Sequence, residues 1–214
     1  MNSPTSQDER SGPRCITCRM PEELCICRLS PHLQLETRVE VVIHYADIRR
    51  TSNSGRLVGL ALANSAIHVR GLPGQPVDIS TGGQGTDLTL FPGEGAKELT
   101  PVLLGRLQRP LRLLVPDGNW NQAAGAAKRE PSLARAMKVM LPGGITAKYR
   151  IRHHEDPTKL CTMEAVIRAL GIIEGPKAES RLEAFFQSWV CRTLYIKGRI
   201  AKAEMPDGAL IPKQ

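Results

Sequence analysis

The chain has 214 residues, 41% of them hydrophobic but only 4% aromatic, so it can bury a core but must build it largely from aliphatic side chains. At roughly 150 residues per domain this is one substantial globular domain with a small appendage, and collagen-like, coiled-coil and wholly disordered readings are excluded. Twenty-nine Lys and Arg against 21 Asp and Glu leave +8, which favours nucleic acid or a phosphorylated substrate, because each neutralised phosphate releases a counterion.

Met1 to Arg14 is polar and lacks the apolar stretch of a secretory signal, so residues 1–14 are expected to be a disordered tail and the protein cytoplasmic. The best apolar run, Leu57 to Ala63, contains Gly59 and stops at Asn64, far short of the roughly 20 residues that cross a bilayer. No membrane partner is expected.

Residues 15–35 read as a metal module. Cys15, Cys18, Cys25 and Cys27 form C-x2-C-x6-C-x-C, with Pro21 in the longer loop. A reducing cytoplasm does not maintain disulfides, whereas four thiolates from two short loops can surround Zn2+ tetrahedrally. The alternatives are a redox cluster or free thiols. With all four positions cysteine, none is left for water, so the zinc would be structural and not catalytic. Cys161 and Cys191 stand alone and read as packing residues.

Residues 36–214 alternate short β-branched runs with longer helical stretches, the pattern of an α/β layered domain. Val39 to Ile43 is the first strand, His44 to Asp47 a loop, and Thr51 or Ser52 the cap of a helix through Leu57, Leu60, Ala61 and Leu62. Ala66 to Arg70 is a strand, and the Gly-, Pro- and Ser/Thr-rich Gln75 to Gly85 an exposed loop. Leu88 to Phe91 is a strand running into Pro92 and Gly93, with a helix from Ala96. Arg112 to Val115 is a strand, Asn121 to Arg129 a helix ended by Pro131, and Lys138 to Leu141 a strand. Thr162 to Leu170 is a helix stopped by Gly171. Leu182, Phe185, Phe186, Trp189, Val190 and Leu194 recur at helical spacing and read as core.

Three segments could carry chemistry. Asp117-Gly118-Asn119-Trp120 sits at the carboxyl end of a buried strand, where α/β proteins gather ligand-binding loops. Asp117 there can act as a general base, orient a substrate N–H, or merely cap the following helix. Arg49 to Arg56 combines cations, hydroxyls and a helix start, the components of a phosphate cradle, or else a polar cap. Lys148 to His154 is a basic, aromatic run that can grip phosphates and stack a base, or form a solvated strand edge. His153 and His154 are adjacent and point apart on an extended chain, which argues against a metal there. No P-loop, G-x-S-x-G or strand-linked G-x-G-x-x-G supports nucleotide hydrolysis, esterase chemistry or NAD binding.

Taken in order, these pieces resemble the DTW-domain family, named for an Asp-x-Thr-Trp signature. The resemblance is carried by the four-cysteine head, the loop His44 to Gly55, Leu90-Phe91-Pro92, Asp117 to Ala123, Tyr149-Arg150-Ile151-Arg152, and Cys161-Thr162-Met163-Glu164-Ala165, across about residues 14 to 172. Each is weak alone; the ordered set is specific. The signature Thr is Asn119 here, and relatives commonly have Ser-Thr where this chain has Cys161-Thr162; Ser could form a capping box with Glu164, which Cys does poorly.

The resemblance implies a SPOUT-like, mostly parallel sheet flanked by helices, with a knotted C-terminal half. It implies transfer of the 3-amino-3-carboxypropyl group from S-adenosylmethionine to N3 of a uridine in tRNA. On that reading Asp117 is the catalytic base and Trp120 packs beneath donor or base. Leu90, Phe91, Pro92, Gly93, Asp117, Gly118, Tyr149 and Arg150 surround the donor, with Thr162 and Glu164 at its amino-acid end. Arg49, Arg50, Ser52, Arg56, Lys128, Arg129 and Arg152 face tRNA. A SPOUT-type methyltransferase and a non-catalytic, zinc-dependent RNA-binding protein are the rival readings. A monomer is expected over a self-paired dimer, and residues 175–214 are assigned to packing.

Overall fold

The computed structural model describes Arg10, residues 12–72, Val77, Ile79, residues 84–147, Tyr149, Ile151 and residues 159–205. The expected tail, Lys148, Arg150, Arg152, His153 and His154 lie wholly or largely outside these residues. Six strands form one all-parallel sheet: β1 (Arg38–His44), β2 (Ser65–Arg70), β3 (Thr86–Leu90), β4 (Lys97–Glu98), β5 (Leu111–Asp117) and β6 (Met137–Met140), in the order β2-β1-β5-β3-β6-β4. The expected α/β class with a mostly parallel sheet is therefore correct.

Alternation along the strands explains the layering. Val39, Val41, Ile43, Leu113 and Val115 face one large core, whereas Val42 and Leu114 face a smaller one. Helices α1 (Tyr45–Ile48), α2 (Leu57–Ala61), α3 (Pro101–Leu104), α4 (Trp120–Arg129), α5 (Pro131–Arg135), α6 (Thr162–Glu174) and α7 (Pro176–Ile196) complete the chain order. The apolar faces of α6 and α7 fill the large core, and Ala126 of α4 and Leu133 of α5 fill the small one. The predicted stripe on α7 is buried in full, with Phe186 and Trp189 stacked at 5.9 Å.

Charged pairs lock the register. Arg112 on β5 grips Asp87 on β3 through two bonds of 2.8 and 2.6 Å, a bidentate geometry that favours arginine. Arg168 of α6 bonds Glu179 and Glu183 of α7 at 2.5 and 2.8 Å.

Five local expectations need correction. Residues Tyr45 to Ile48 form a helical turn, started by His44 Nδ1 accepting the Ala46 N–H at 3.3 Å. Neither Thr51 nor Ser52 caps α2; Asn53 Oδ1 accepts the Arg56 N–H at 3.1 Å instead. No helix begins at Ala96, since Lys97–Glu98 adds a short strand to β6 and α3 starts only after Thr100, whose side chain accepts from Leu103. Gly171 does not stop α6. The helix runs on to Glu174 and ends at Gly175 with φ +99, because the bare Gly171 surface receives Glu179 of α7. Within the segment expected as an exposed loop, Ile79 is buried.

The N-terminal cysteine segment packs onto the domain: Cys18, Met20 and Ile26 share the large core, and Leu24 packs against Tyr195 of α7. Among the described residues, no helix is long and apolar enough to cross a membrane. Leu113 lies at the centre of the sheet with no exposure. Leu113→Ala is expected to lower stability by about 2–5 kcal/mol in chemical denaturation; a change below about 0.5 kcal/mol would show that the sheet's centre is not the core.

Candidate functional site

In a parallel sheet every strand delivers its carboxyl end to the same edge. After β1 the chain crosses outward to β2, and after β5 it crosses the other way to β6, so the β1–β5 junction is a topological switch point, where a crevice opens. Ile43 pairs with Asp117 across that junction. A cavity of about 520 Å³ lies there, within the usual range for small-molecule sites. Its wall comes from the loops after β1 (Asp47 to Ser54), β3 (Leu90 to Pro92), β5 (Pro116 to Trp120) and β6 (Leu141 to Ile145), closed by Tyr149 and Lys159 to Thr162.

Asp117 sits on that wall and is only 3% exposed. Asn53 Nδ2 donates to its Oδ2 at 2.5 Å, and Thr162 Oγ1 donates to its Oδ1. The carboxylate thus ties the loop after β1 to the first residue of α6. Gly55 makes the approach possible, since a Cβ there would stand 2.7 Å from Asp117 Cγ. Asp117 does not cap α4. That task falls to Asn119, whose Oδ1 accepts the Gln122 N–H at 2.9 Å while Gln122 Oε1 accepts the Asn119 N–H at 2.8 Å. Gly118, at φ +148, provides the turn between them.

Phe91 and Trp120 meet at 5.5 Å on the cavity wall, tilted by 48°, and Lys159 Nζ stands 5.7 Å from the Trp120 ring. Tyr149 is mostly core: it stacks on Trp189 at 6.1 Å, and its hydroxyl donates to the Ser52 carbonyl at 2.9 Å, fixing the loop that carries Asn53. Burial, with Glu164 beside it, pushes the thiol of Cys161, half-buried on the cavity wall, well above its ordinary range.

Of the residues picked from sequence, Leu90, Phe91, Pro92, Asp117, Gly118, Trp120, Tyr149, Thr162, Arg50 and Ser52 line the cavity. Gly93 is exposed beside it. Glu164 does not line it; this side chain is 2% exposed and accepts the Cys161 N–H at 3.0 Å, so it serves the start of α6. Arg56 points inward and donates to the Cys18 carbonyl at 2.8 Å, which removes it from the phosphate-facing set. Arg49 is exposed, as are Lys128 and Arg129 at the far end of α4, about 8–9 Å along the helix from the cavity-lining Ala123 at 1.5 Å per residue. Asp47, Asn53 and Ser54, all buried on the wall, were not singled out from sequence. Asn53 lies in a segment read as polar and cationic, and its caps-and-turns chemistry was the available signal.

The four N-terminal cysteines place their Sγ atoms within 4.8 Å of one another. Cys15 and Cys27 stand 3.7 Å apart, Cys18 and Cys25 3.6 Å. A tetrahedral ion with metal–sulfur bonds of about 2.3 Å needs sulfur separations of about 3.8 Å, so the cluster can hold a metal. Burial opposes ionisation of Cys15, but the backbone N–H groups of Cys18 and Thr17 and the neighbouring thiols bring it down to about 6. Burial pushes Cys25 and Cys27 up, helped by the charge of Cys18. Arg56, half-buried, and Arg192, buried, lie beside this cluster, and their removal from water lowers the pKa of each.

A model of the DTW domain matches residues 12–194. The chain is also 27% identical over 227 aligned residues to tRNA-uridine aminocarboxypropyltransferase A of Arabidopsis thaliana, covering 87% of this chain and 84% of the plant protein.

Purified protein is expected to carry one metal ion per chain by elemental analysis, and Cys18→Ser to lose it together with several kcal/mol of stability. A metal-free native protein as stable as the loaded one would leave the cluster as plain thiols.

Proposed function

We propose that this chain, which belongs to the DTW domain family, transfers the 3-amino-3-carboxypropyl group of S-adenosylmethionine to N3 of a uridine in tRNA and releases methylthioadenosine. The observation that carries the reading is Asp117: a buried carboxylate at a switch point, on the wall of a nucleoside-sized cavity, oriented by two donors from different elements. The plant relative's name supplies the reaction class.

The donor's sulfonium is already an activated leaving centre, so the protein's task is alignment and proton removal. Asp117 takes the N3 proton of uridine. The nitrogen's electron pair forms the bond to the methylene carbon beside sulfur. That carbon–sulfur bond breaks, its pair passes to sulfur, and the sulfonium charge is cancelled as the thioether leaves. A carboxylate offers about four lone-pair sites, so the bonds from Asn53 and Thr162 fix its direction and leave room for a proton. Phe91 and Trp120 offer π-faces for adenine or uracil. Leu90, Pro92, Gly118 and the backbone around Tyr149 enclose the nucleoside.

The Asn119 departure from the family signature fits this reading. Thr and Asn are both favoured N-caps, and capping is what Asn119 does here. Arg49, Lys128 and Arg129 stay assigned to tRNA phosphates, with Arg152 outside the described residues. Cys15, Cys18, Cys25 and Cys27 would hold a structural zinc, which would clasp the N-terminal segment and, with no position left for water, supply no chemistry. The reading also includes a cytoplasmic setting, a monomer, and the SPOUT-like, knotted topology, for the last of which the support is the parallel sheet with its cavity at the carboxyl edge.

Incubation with tRNA lacking the modification is expected to move carboxyl label, and not methyl label, from the donor into RNA. Methyl label would make the protein a methyltransferase, and binding of tRNA with no donor affinity would make it a non-catalytic module. Asp117→Asn keeps a partner for both Asn53 and Thr162 and is expected to slow transfer by about 10²–10⁴-fold with donor affinity intact; full turnover would remove Asp117 from the base role.

A further inference from the structure

Four charged side chains line the cavity among the described residues: Asp47, Arg50, Asp117 and Lys159. Asp117 is held by Asn53 and Thr162, and Lys159 stands over Trp120. Asp47 and Arg50 remain. Asp47 lies in the single turn α1 that follows β1 and is 5% exposed. Its Oδ1 forms an ion pair with Arg50 Nε at 3.0 Å, while its Oδ2 is buried with no hydrogen-bond partner among the described residues.

A carboxylate oxygen withdrawn from water without a donor is costly, and native structures leave few such atoms unexplained. The torsion that turns a carboxylate about its own axis is broad, so Asp47 can present an oxygen to a ligand entering the cavity. Arg50 is different: its Nε is engaged, but 60% of its side chain is exposed, leaving the terminal nitrogens of its fork for a planar anion. The pair thus offers one unmet acceptor and one open cationic fork side by side. The matching ligand group carries an ammonium and a carboxylate on one carbon.

The geometry points to Asp47 and Arg50 as the subsite for the zwitterionic amino-acid head of the donor, Asp47 receiving the α-ammonium and Arg50 the α-carboxylate. This rests on the donor reading above. It moves the amino-acid end away from Glu164, which the start of α6 has claimed, and moves Arg50 from phosphate contact to donor recognition. Anchoring the head fixes which of the carbons on sulfur is offered to the acceptor, the choice that separates aminocarboxypropyl from methyl transfer.

The test is calorimetric binding to the full chain, wild type, Asp47→Asn and Arg50→Gln. The ligands are S-adenosylmethionine, its decarboxylated analogue, and methylthioadenosine, which lacks the head. Asp47→Asn is expected to weaken the first two by roughly 10- to 100-fold, as loss of a charge-assisted bond requires. Arg50→Gln should weaken only the first by a similar factor, and neither should change methylthioadenosine affinity. Parallel loss for all three ligands overturns the assignment, as does wild-type donor binding in Asp47→Asn with turnover lost, the signature of a proton-transfer role. Should Asp47→Asn not fold, unchanged donor affinity in the exposed Arg50→Gln variant overturns it alone. Wild-type protein that binds none of the three ligands fails the donor reading itself, a distinct result.

Discussion

One buried carboxylate organises this molecule's working edge. Asp117 terminates the central strand β5, yet its two oxygens are bonded to Asn53, in the loop after β1, and to Thr162, which opens α6. Removing a carboxylate from water is unfavourable unless donors replace the lost hydration, so the loop and the helix must come to it. The cavity exists where they meet. Buried Asn53 and Ser54 and the bare Gly55 surface are the local means by which the chain approaches this group without a clash.

The layers behind the edge give it rigidity. Because β1 and β5 are covered on both faces, apolar side chains from both faces of each strand, Val41 and Val42 of β1 and Leu113 and Leu114 of β5 among them, are fully buried and hold the strand ends in place. Tyr149 transmits that rigidity outward: its ring is locked in a stack with Trp189 and Phe186, and its hydroxyl holds the Ser52 carbonyl. The aromatic content is low, but these rings are concentrated where core and cavity meet.

Much of this was legible in the sequence, and the remainder was not for identifiable reasons. The strand ending at Asp117 could be read because a short apolar run followed by Pro116-Asp117-Gly118 has few alternatives. The α7 stripe followed from periodicity. Gly171 misled because a glycine usually ends a helix, whereas here its missing Cβ admits Glu179 from the neighbouring helix, a tertiary fact. Asp47 and Asn53 were passed over because loop polarity predicts exposure; the burial of Asn53 goes with its bond to Asp117, far off in the chain. Glu164 and Arg56 erred in the opposite sense, as charged residues whose position in a motif suggested ligands and whose hydrogen bonds serve the protein itself.

Arg56 carries one further consequence. Its guanidinium donates to the Cys18 carbonyl in the cysteine knuckle, while its backbone N–H is held by the Asn53 side chain that also grips Asp117. Three hydrogen bonds therefore span the distance from the cysteine cluster to Asp117 without passing through the sheet. A cation held by the four thiols would have a short mechanical route to the cavity, and its removal would be felt there as a loosening of the loop before the domain itself came apart.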